Sequence, residues 1–256
     1  MKSERIGGGG AREPVADRVW RLGDELINFY AVEDEGRLTI ADAGVPGFGD
    51  TLEADLAAIG FGVADVDAVV LTHADADHTG LVPALQAAGA RALVHSDAEA
   101  MLRQPGPKDG DARPARLLRQ LWRPSLWRTV IHMGRRGAMK PPRVEGAETY
   151  EDGDVLDVPG RLRAIRTPGH SPGHCALLLE DRGVLFAGDA LCTLNPMTYR
   201  RGPQLMPPGF NTSDAQAEAS LAAVAESGAD VVLVGHGEPW TGGAAAAVER
   251  ARDALR

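Results

Sequence analysis

The stretch LTHADADHTG, residues 71–80, places two histidines and two aspartates within six positions. It follows VDAVV, residues 66–70, a continuous apolar run typical of a β-strand that is buried on both faces. Imidazole nitrogens and carboxylate oxygens are the ligand set of hydrolytic metal centres. The stretch therefore predicts a metal-binding loop at the end of a buried strand.

Three further segments repeat this arrangement of an apolar run, a glycine and a possible metal ligand. His170 lies in TPGHSPGH, Asp189 lies in FAGDA, and His236 lies in LVGHG. Loops at the ends of strands are held by a rigid scaffold and commonly carry binding residues. We therefore expect the four segments to meet at one edge of a sheet, where they can hold two metal ions and a water molecule.

In this order, the motifs resemble those of the metallo-β-lactamase superfamily, and TPGHSPGH is particularly similar to the glyoxalase II branch. The family's first motif is His-x-His-x-Asp-His, which here reads His-x-Asp-x-Asp-His because position 75 is aspartate. AGDA and GHG match later motifs, and TIADAG around Asp42 is similar to the family's opening strand. The resemblance implies a mixed α/β fold, a four-layer αββα sandwich with its metal site at an open edge.

The resemblance also implies which residues bind metal. The expected ligands are His73, Asp75, Asp77, His78, His170, Asp189 and His236. The first ion would be bound through positions 73, 75 and 170, and the second through positions 77, 78 and 236. The carboxylate at position 189 would bridge the two ions.

Three residues are expected to act beyond simple ligation. Asp77 would hold the attacking water as well as a metal ion, which makes it the expected catalytic residue. Asp42 and His174 would lie behind the ligands and orient them without binding metal. Asp42 corresponds to an aspartate of the family, whereas for His174 an ordinary strand position is an equal alternative.

Aspartate at position 75 leaves three interpretations open. It can be an oxygen ligand, as a glutamate is in the related flavodiiron proteins; it can be too short to reach; or the site can have lost its chemistry. Together with Asp77 and Asp189, Asp75 adds a third negative charge, which favours hard or higher-charged cations. We expect two divalent metal ions, zinc first, with iron or manganese as alternatives.

The expected function is metal-dependent hydrolysis of a small ester-like substrate, such as a thioester, a lactone or another carboxylic ester, by a metal-bound hydroxide. An iron-dependent, oxygen-using enzyme, such as a persulfide dioxygenase or a flavodiiron relative, is the second hypothesis. A catalytically inactive sensor that binds a metal or a ligand is the third. Fold alone does not choose between them.

Charge is distributed unevenly along the chain. Residues 103–143 contain eleven Lys or Arg and only two acidic residues, although the whole chain has a net charge of −9. We predict a flexible leader at 1–17 and a single domain at 18–256, in which the basic segment at about 103–143 forms a helical lid. Trp122, Trp127, Tyr199 and Arg200 are weaker candidates for its substrate pocket.

Composition limits the partners and the compartment. The net charge of −9 disfavours nucleic-acid binding. No window reaches the roughly 18 to 20 apolar residues of a membrane span, and the first residues lack the apolar core of a secretion signal. We therefore expect a cytoplasmic protein that binds neither nucleic acid nor membrane. Its partner is expected to be a small-molecule substrate, and the basic segment would attract that substrate if the substrate is acidic. A homodimer is left open.

Overall fold

The computed structural model describes residues 13–106 and 121–255. They form two β-sheets that pack face to face, and helices cover the outer face of each sheet. The predicted four-layer α/β sandwich is confirmed. Within the leader predicted at 1–17, residues 1–12 lie outside the described part, whereas residues 13–16 already belong to a strand.

The larger sheet has seven strands whose spatial order follows the chain: β1 (Glu13–Ala16), β2 (Val19–Gly23), β3 (Asn28–Asp34), β4 (Arg37–Ala41), β5 (Val66–Val70), β6 (Arg91–His95) and β7 (Glu148–Tyr150). Strands β1 to β4 pair antiparallel, and β4 to β7 pair parallel. Parallel neighbours need long crossovers. These crossovers carry α1 (Gly49–Ala58), α2 (Val82–Ala87) and α3 (Glu99–Arg103).

The smaller sheet has four strands in the order β13, β10, β9, β8. Their bounds are β8 (Arg163–Arg166), β9 (Cys175–Leu179), β10 (Val184–Gly188) and β13 (Val231–Val234). A separate hairpin consists of β11 (Cys192–Leu194) and β12 (Arg201–Gln204). The other α-helices of the described residues are α4 (Pro124–Arg135), which lies between β6 and β7 in the chain, α5 (Asp214–Glu226) and α6 (Ala244–Asp253). Within the described residues, no helix has the length and apolar character needed to cross a membrane.

Side chains on β9 show how the layers arise. Leu177 and Leu179 belong to the core between the two sheets, whereas Ala176 and Leu178 belong to the core between the smaller sheet and its helices. Successive side chains of a strand point to opposite faces, so an uninterrupted apolar strand supplies both cores. Every residue of this strand is buried, which is why its sequence shows no alternation.

Backbone hydrogen bonds join the loops at one edge of the two sheets. The amide of Cys175 donates to the carbonyl of Thr72 at 2.9 Å, which links the smaller sheet to the loop after β5. The amide of Asn28 donates to the carbonyl of Gly235 at 2.8 Å, which links the larger sheet to the loop after β13. The edge that carries the sequence motifs is therefore a fixed framework.

We predict that Phe186→Ala destabilises the fold by about 3–5 kcal/mol, because the ring is buried between the sheets and its loss leaves a cavity. Urea unfolding followed by circular dichroism measures this change. Leu255→Ala is the control, since Leu255 is half exposed and its loss should cost less than about 0.5 kcal/mol. Equal effects in the two variants would contradict the packing of the sheets against each other.

Candidate metal centre

Two glycines allow the strand ends to approach one another. A Cβ atom at Gly235 would lie 2.4 Å from Oδ1 of Asp189 and 2.7 Å from the ring of His78. At Gly188, where φ is +50°, a Cβ atom would lie 2.5 Å from Oγ1 of Thr72. Both distances are far shorter than van der Waals contact, so only glycine lets these loops close around the centre.

The structure brings the predicted ligands into one cluster. Three groups have ligand atoms within 4.8 Å of one another: Asp42, His73 and His78; His73, His170 and Asp189; and Asp77, His78 and His236. The cluster joins residues from the loops after β4, β5, β8, β10 and β13. Asp77 and His236, which are far apart in sequence, are thus neighbours in space.

His73, Asp75 and His170 form what we term the first ligand group. Oδ2 of Asp75 lies 2.9 Å from Nε2 of His170 and 3.5 Å from Nε2 of His73. The carboxylate at position 75 thus reaches both histidines. The shorter side chain, compared with histidine, does not keep it from the group.

Asp77, His78 and His236 form the second ligand group, and Asp189 lies between the two groups. Nε2 of His236 is 3.5 Å from Oδ2 of Asp77. Oδ2 of Asp189 lies 3.1 Å from Nε2 of His236 and 3.4 Å from Nε2 of His170. One carboxylate therefore faces a histidine of each group, the position that a bridging ligand requires.

Hydrogen bonds to Asp42 orient two of the imidazole rings. The Asp42 carboxylate accepts from Nδ1 of His78 at 2.9 Å and from the amide of Thr72 at 2.8 Å. It also accepts from the hydroxyl of Thr72, whose oxygen in turn accepts from Nδ1 of His73 at 2.9 Å. Since Nδ1 of each ring donates, Nε2 is the nitrogen whose lone pair faces the centre when the ring is neutral.

The other two rings are fixed in the same way by residues outside the sequence motifs. Nδ1 of His170 donates to Oδ1 of Asn211 at 3.1 Å. Nδ1 of His236 donates to the backbone carbonyl of Leu26. All four rings thus direct Nε2 toward the carboxylates, and the second nitrogen of metal-binding histidines is commonly held by such an acceptor.

Two buried imidazole nitrogens identify the centre as one that fits a cation. Nε2 of His73 and Nε2 of His78 are buried and have no hydrogen-bond partner among the described residues, and the same is true of Oδ1 of Asp189. Oδ1 of Asp189 and Nε2 of His78 are 3.6 Å apart, too far for a hydrogen bond. Buried polar atoms normally have partners, and a metal ion would satisfy all three.

His174 is turned away from the centre. Its Nε2 accepts from the backbone amide of Asp189 at 3.0 Å, so its Nδ1 carries the proton and donates to Oγ1 of Thr167 at 2.8 Å. Burial, together with the neighbouring His73 and His170, lowers the pKa of His174 well below its ordinary value. The neutral ring has both nitrogens occupied, so it can hold the backbone at Asp189 but cannot bind a metal ion.

Neighbouring carboxylates raise the pKa of both histidines in the second ligand group. Burial lowers the pKa of His78, but Asp42 and Asp189 outweigh it and raise the pKa to about 10. Burial also lowers the pKa of His236, and Asp189 raises it to about 9. Burial raises the pKa of Asp189, yet His236 and His78 hold that pKa well below its ordinary value. A bound cation would replace the protons that provide this positive charge.

Helix α4 is attached to the loops that carry the centre. The hydroxyl of Thr129 donates to the carbonyl of Pro196. About one turn further along the helix, Nε2 of His132 lies 2.9 Å from Oδ2 of Asp24. Oδ1 of Asp24 accepts from the amide of Leu26 at 3.0 Å, and the carbonyl of Leu26 orients His236. The helix and the orientation of one candidate ligand are therefore connected through a single aspartate.

The structure places the weaker pocket candidates outside the cavity above the centre. Trp122 is 73% exposed and Trp127 is 49% exposed, and neither lines the cavity. Tyr199 is half-buried, and its hydroxyl lies 3.2 Å from the Thr129 hydroxyl. Arg200 is exposed. The wall of the cavity that α4 supplies comes instead from Thr129 and Met133.

Sequence reasoning missed three residues that orient the centre. Thr72 lies inside the first motif, where its position before His73 is the only available signal. Asn211 and Asp24 lie in loops without a recognisable motif, and only their contacts reveal what they do. Residues 107–120 of the predicted lid lie outside the described part of the chain.

The profile of the metallo-beta-lactamase superfamily matches residues 22–236 of this chain. Among curated relatives, the probable metallo-hydrolase YflN of Bacillus subtilis is 37% identical over 84 residues, which cover 30% of this chain and 32% of that protein. The atrochrysone carboxyl ACP thioesterase AgnL7 of Paecilomyces divaricatus is 43% identical over 54 residues, which cover 21% of this chain and 17% of that protein.

The metallo-beta-lactamase family protein TTHA1429 of Thermus thermophilus has a solved structure that aligns with a TM-score of 0.64 at 27% identity. The alignment covers 93% of this chain and 78% of that chain. The curated matches are shorter: each of the first three spans less than two thirds of its relative, at 32%, 61% and 57%.

We predict that Asp24→Ala lowers the free energy of unfolding by about 1–3 kcal/mol at neutral pH. The amides of Leu26 and Ile27 lose their side-chain acceptor, and Arg136 at the end of α4 loses its ion pair. Burial raises the pKa of Asp24, but His132 and Arg136 outweigh it and hold that pKa below its ordinary value. This stabilisation is therefore present above the unfolded pKa of about 3.9 and is lost as pH falls through the folded pKa.

Urea unfolding of Asp24→Ala and of the unsubstituted protein at a series of pH values measures the effect. The difference between the two should shrink as the medium becomes acidic. Asp17→Ala is the control, because the Asp17 side chain is 75% exposed. A difference that grows toward low pH would overturn the assignment of the charge to Asp24.

Proposed function

Because this chain belongs to the metallo-beta-lactamase superfamily, we propose that it is a metal-dependent hydrolase of ester-like carbonyl compounds. The observation that carries the proposal is the shared orientation of four imidazole rings, each with Nε2 directed at a cluster of carboxylates. A set of histidine and aspartate donors with a bridging carboxylate is the arrangement of a two-metal hydrolytic site. We propose two divalent ions, with zinc as the first choice.

In this proposal each ligand group binds one of the two ions. The first ligand group would hold one ion, the second ligand group would hold the other, and Asp189 would be shared between them. When bound, the pair of ions lowers the pKa of a coordinated water molecule and polarises the substrate carbonyl. Asp42 and His174 hold the ligands and the bridging residue in place through the hydrogen bonds described above.

Asp77 is the residue that we propose to act on the attacking water. Its carboxylate lines the cavity and is half-buried, beside His236 of the second ligand group. From there it can accept the hydrogen bond of a water molecule and direct the lone pair of that water at the carbonyl carbon. Hydrolysis then breaks the acyl–sulfur or acyl–oxygen bond: the acyl carbon gains the hydroxyl group, and the leaving atom gains the proton.

A thioester, a lactone or another carboxylic ester is the substrate class that we propose. The name of the relative AgnL7 describes a thioesterase, which supports an acyl-transfer reaction to water in this part of the superfamily. The name of YflN describes a probable metallo-hydrolase without a substrate. These names support the reaction type, and the identity of the acyl group has to come from the cavity.

One observation favours a second candidate, an iron-dependent enzyme that uses oxygen. The first ligand group consists of two histidines and one carboxylate, the set that non-haem iron enzymes use to bind Fe(II) with open positions. Iron in the purified protein, together with oxygen consumption, distinguishes this candidate from a zinc hydrolase.

We predict that protein purified without added metal contains about two equivalents of divalent metal, and that a chelator removes both the metal and the hydrolysis of thioesters and lactones. Elemental analysis and a substrate panel that includes a phosphodiester measure these properties. Restoring zinc should restore hydrolysis. Activity that persists in metal-free protein would exclude the mechanism, and tight ligand binding by a metal-free, inactive protein would instead identify a sensor.

We predict that Asp75→Ala weakens the binding of one of the two ions by at least about 10–100-fold, because the first ligand group keeps only two of its own donors. Titration with a competing chelator measures each affinity. Asp50→Ala, an exposed position on α1, is the control for the loss of a carboxylate. If Asp75→Ala retains both ions with unchanged affinity, Asp75 is not a ligand.

A further inference from the structure

The cavity above the centre is small and apolar. Its volume is about 260 Å³, slightly below the range of roughly 300–1,000 Å³ for ligand pockets. Beyond the residues of the centre, its lining includes Met101, Met133, Met206, Phe210 and Pro196. Three of these five are methionines, whose unbranched side chains adapt to the shape of a flexible apolar group.

No lysine or arginine is found among the described residues that line this cavity. The described arginines of α4 and its flanks lie elsewhere. Arg128 is exposed and stacks over the ring of Tyr199 at 5.2 Å, and Arg136 stacks over the ring of Phe48 at 4.5 Å. Beyond the residues of the centre, the described lining has no charged side chain, so a charged group at the far end of a substrate would lose its hydration without gaining a partner.

Helix α4 lies between the apolar cavity and the exposed arginines. Thr129 and Met133 are one turn apart and line the cavity on the inner face of the helix. The Thr129 hydroxyl donates to the carbonyl of Pro196, so it is already used within the protein. Arg128 and Val130 are exposed on the outer side. Met133 is therefore the long, flexible side chain that α4 contributes to the space beside the centre.

From this arrangement we propose that the cavity is an acyl pocket: the substrate carries an uncharged, flexible alkyl chain on its carbonyl carbon, and Met133 sets the length of chain that fits. The proposal rests on the proposed hydrolase function and deepens it by naming the substrate class. The reacting carbonyl lies at the metal centre, and the chain extends between α4 and the segment that holds Met206 and Phe210.

The length of the acyl chain determines how much kcat/KM increases. Each methylene that enters the pocket should raise kcat/KM about fourfold until the cavity is filled, because burial of one methylene favours binding by a constant amount. A terminal carboxylate on the same chain should abolish this gain, since the described lining supplies no cation to pair with it.

The experiment uses the metal-loaded, full-length protein and a series of thioesters of N-acetylcysteamine, from acetyl to dodecanoyl. A second series carries a carboxylate at the end of the acyl chain. We expect kcat/KM to rise with length and then level off in the first series, and to stay low in the second. A flat profile, or a preference for the carboxylate series, would overturn the proposal.

Substitutions at position 133 test the assignment to this residue. Met133→Trp should shorten the chain at which the profile levels off, and Met133→Arg should raise activity toward the carboxylate series relative to the neutral one. Val130→Ala on the outer side of α4 is the matched control and should leave both profiles unchanged. If Met133→Trp and Val130→Ala give the same profile, Met133 does not determine chain length.

Binding measured without turnover separates this proposal from the hydrolase function. Isothermal titration with amide analogues of the same acyl series reports affinity even when no thioester is hydrolysed. Length-dependent binding without hydrolysis would support the pocket and refute the hydrolase. Hydrolysis with affinity that does not change with length would support the hydrolase and refute the pocket, and the absence of both would refute both.

Discussion

A buried imidazole ring has two nitrogens that need partners. At this edge of the fold, the described residues supply partners for both nitrogens in two of the four rings, but for only one nitrogen in His73 and His78. The Nδ1 atoms of four histidines, His73, His78, His170 and His236, donate to oxygens of the protein. The opposite nitrogens face carboxylates, and two of them have no hydrogen bond within the described residues. Each buried polar atom without a hydrogen bond lowers the stability of the fold by about 1–3 kcal/mol, so the fold is locally destabilised at the candidate metal centre.

The two sheets provide the rigidity that this arrangement requires. Uninterrupted apolar strands such as β9 and β10 are covered on both faces, which leaves the loops at the strand ends as the places for polar chemistry. Backbone hydrogen bonds then connect the loops of the two sheets directly. Gly188 and Gly235 bring the strand ends so close that the carboxylate of Asp189 lies between the two ligand groups.

The sequence predicted the layered fold and the clustering of the candidate ligands, because both depend on local patterns: apolar runs, and polar residues beside glycine at the ends of those runs. The surroundings depend on distant contacts and could not be predicted. Asn211 orients His170 from 41 positions away, and nothing in its own segment marks it. Trp122 and Trp127 are weak candidates for the pocket because they lie in the segment predicted to form a lid, yet the register of α4 turns Met133 inward instead.

The missing side chain at Gly235 has a consequence for how new specificities can evolve on this scaffold. On that side the wall of the centre is peptide backbone, since even a methyl group would collide with Asp189 and His78. Replacing amino acids cannot remodel a wall that has no side chains. New specificities therefore have to arise at the opposite wall. There, side chains of α4 and of the segment around Met206 can be substituted without disturbing the residues of the centre.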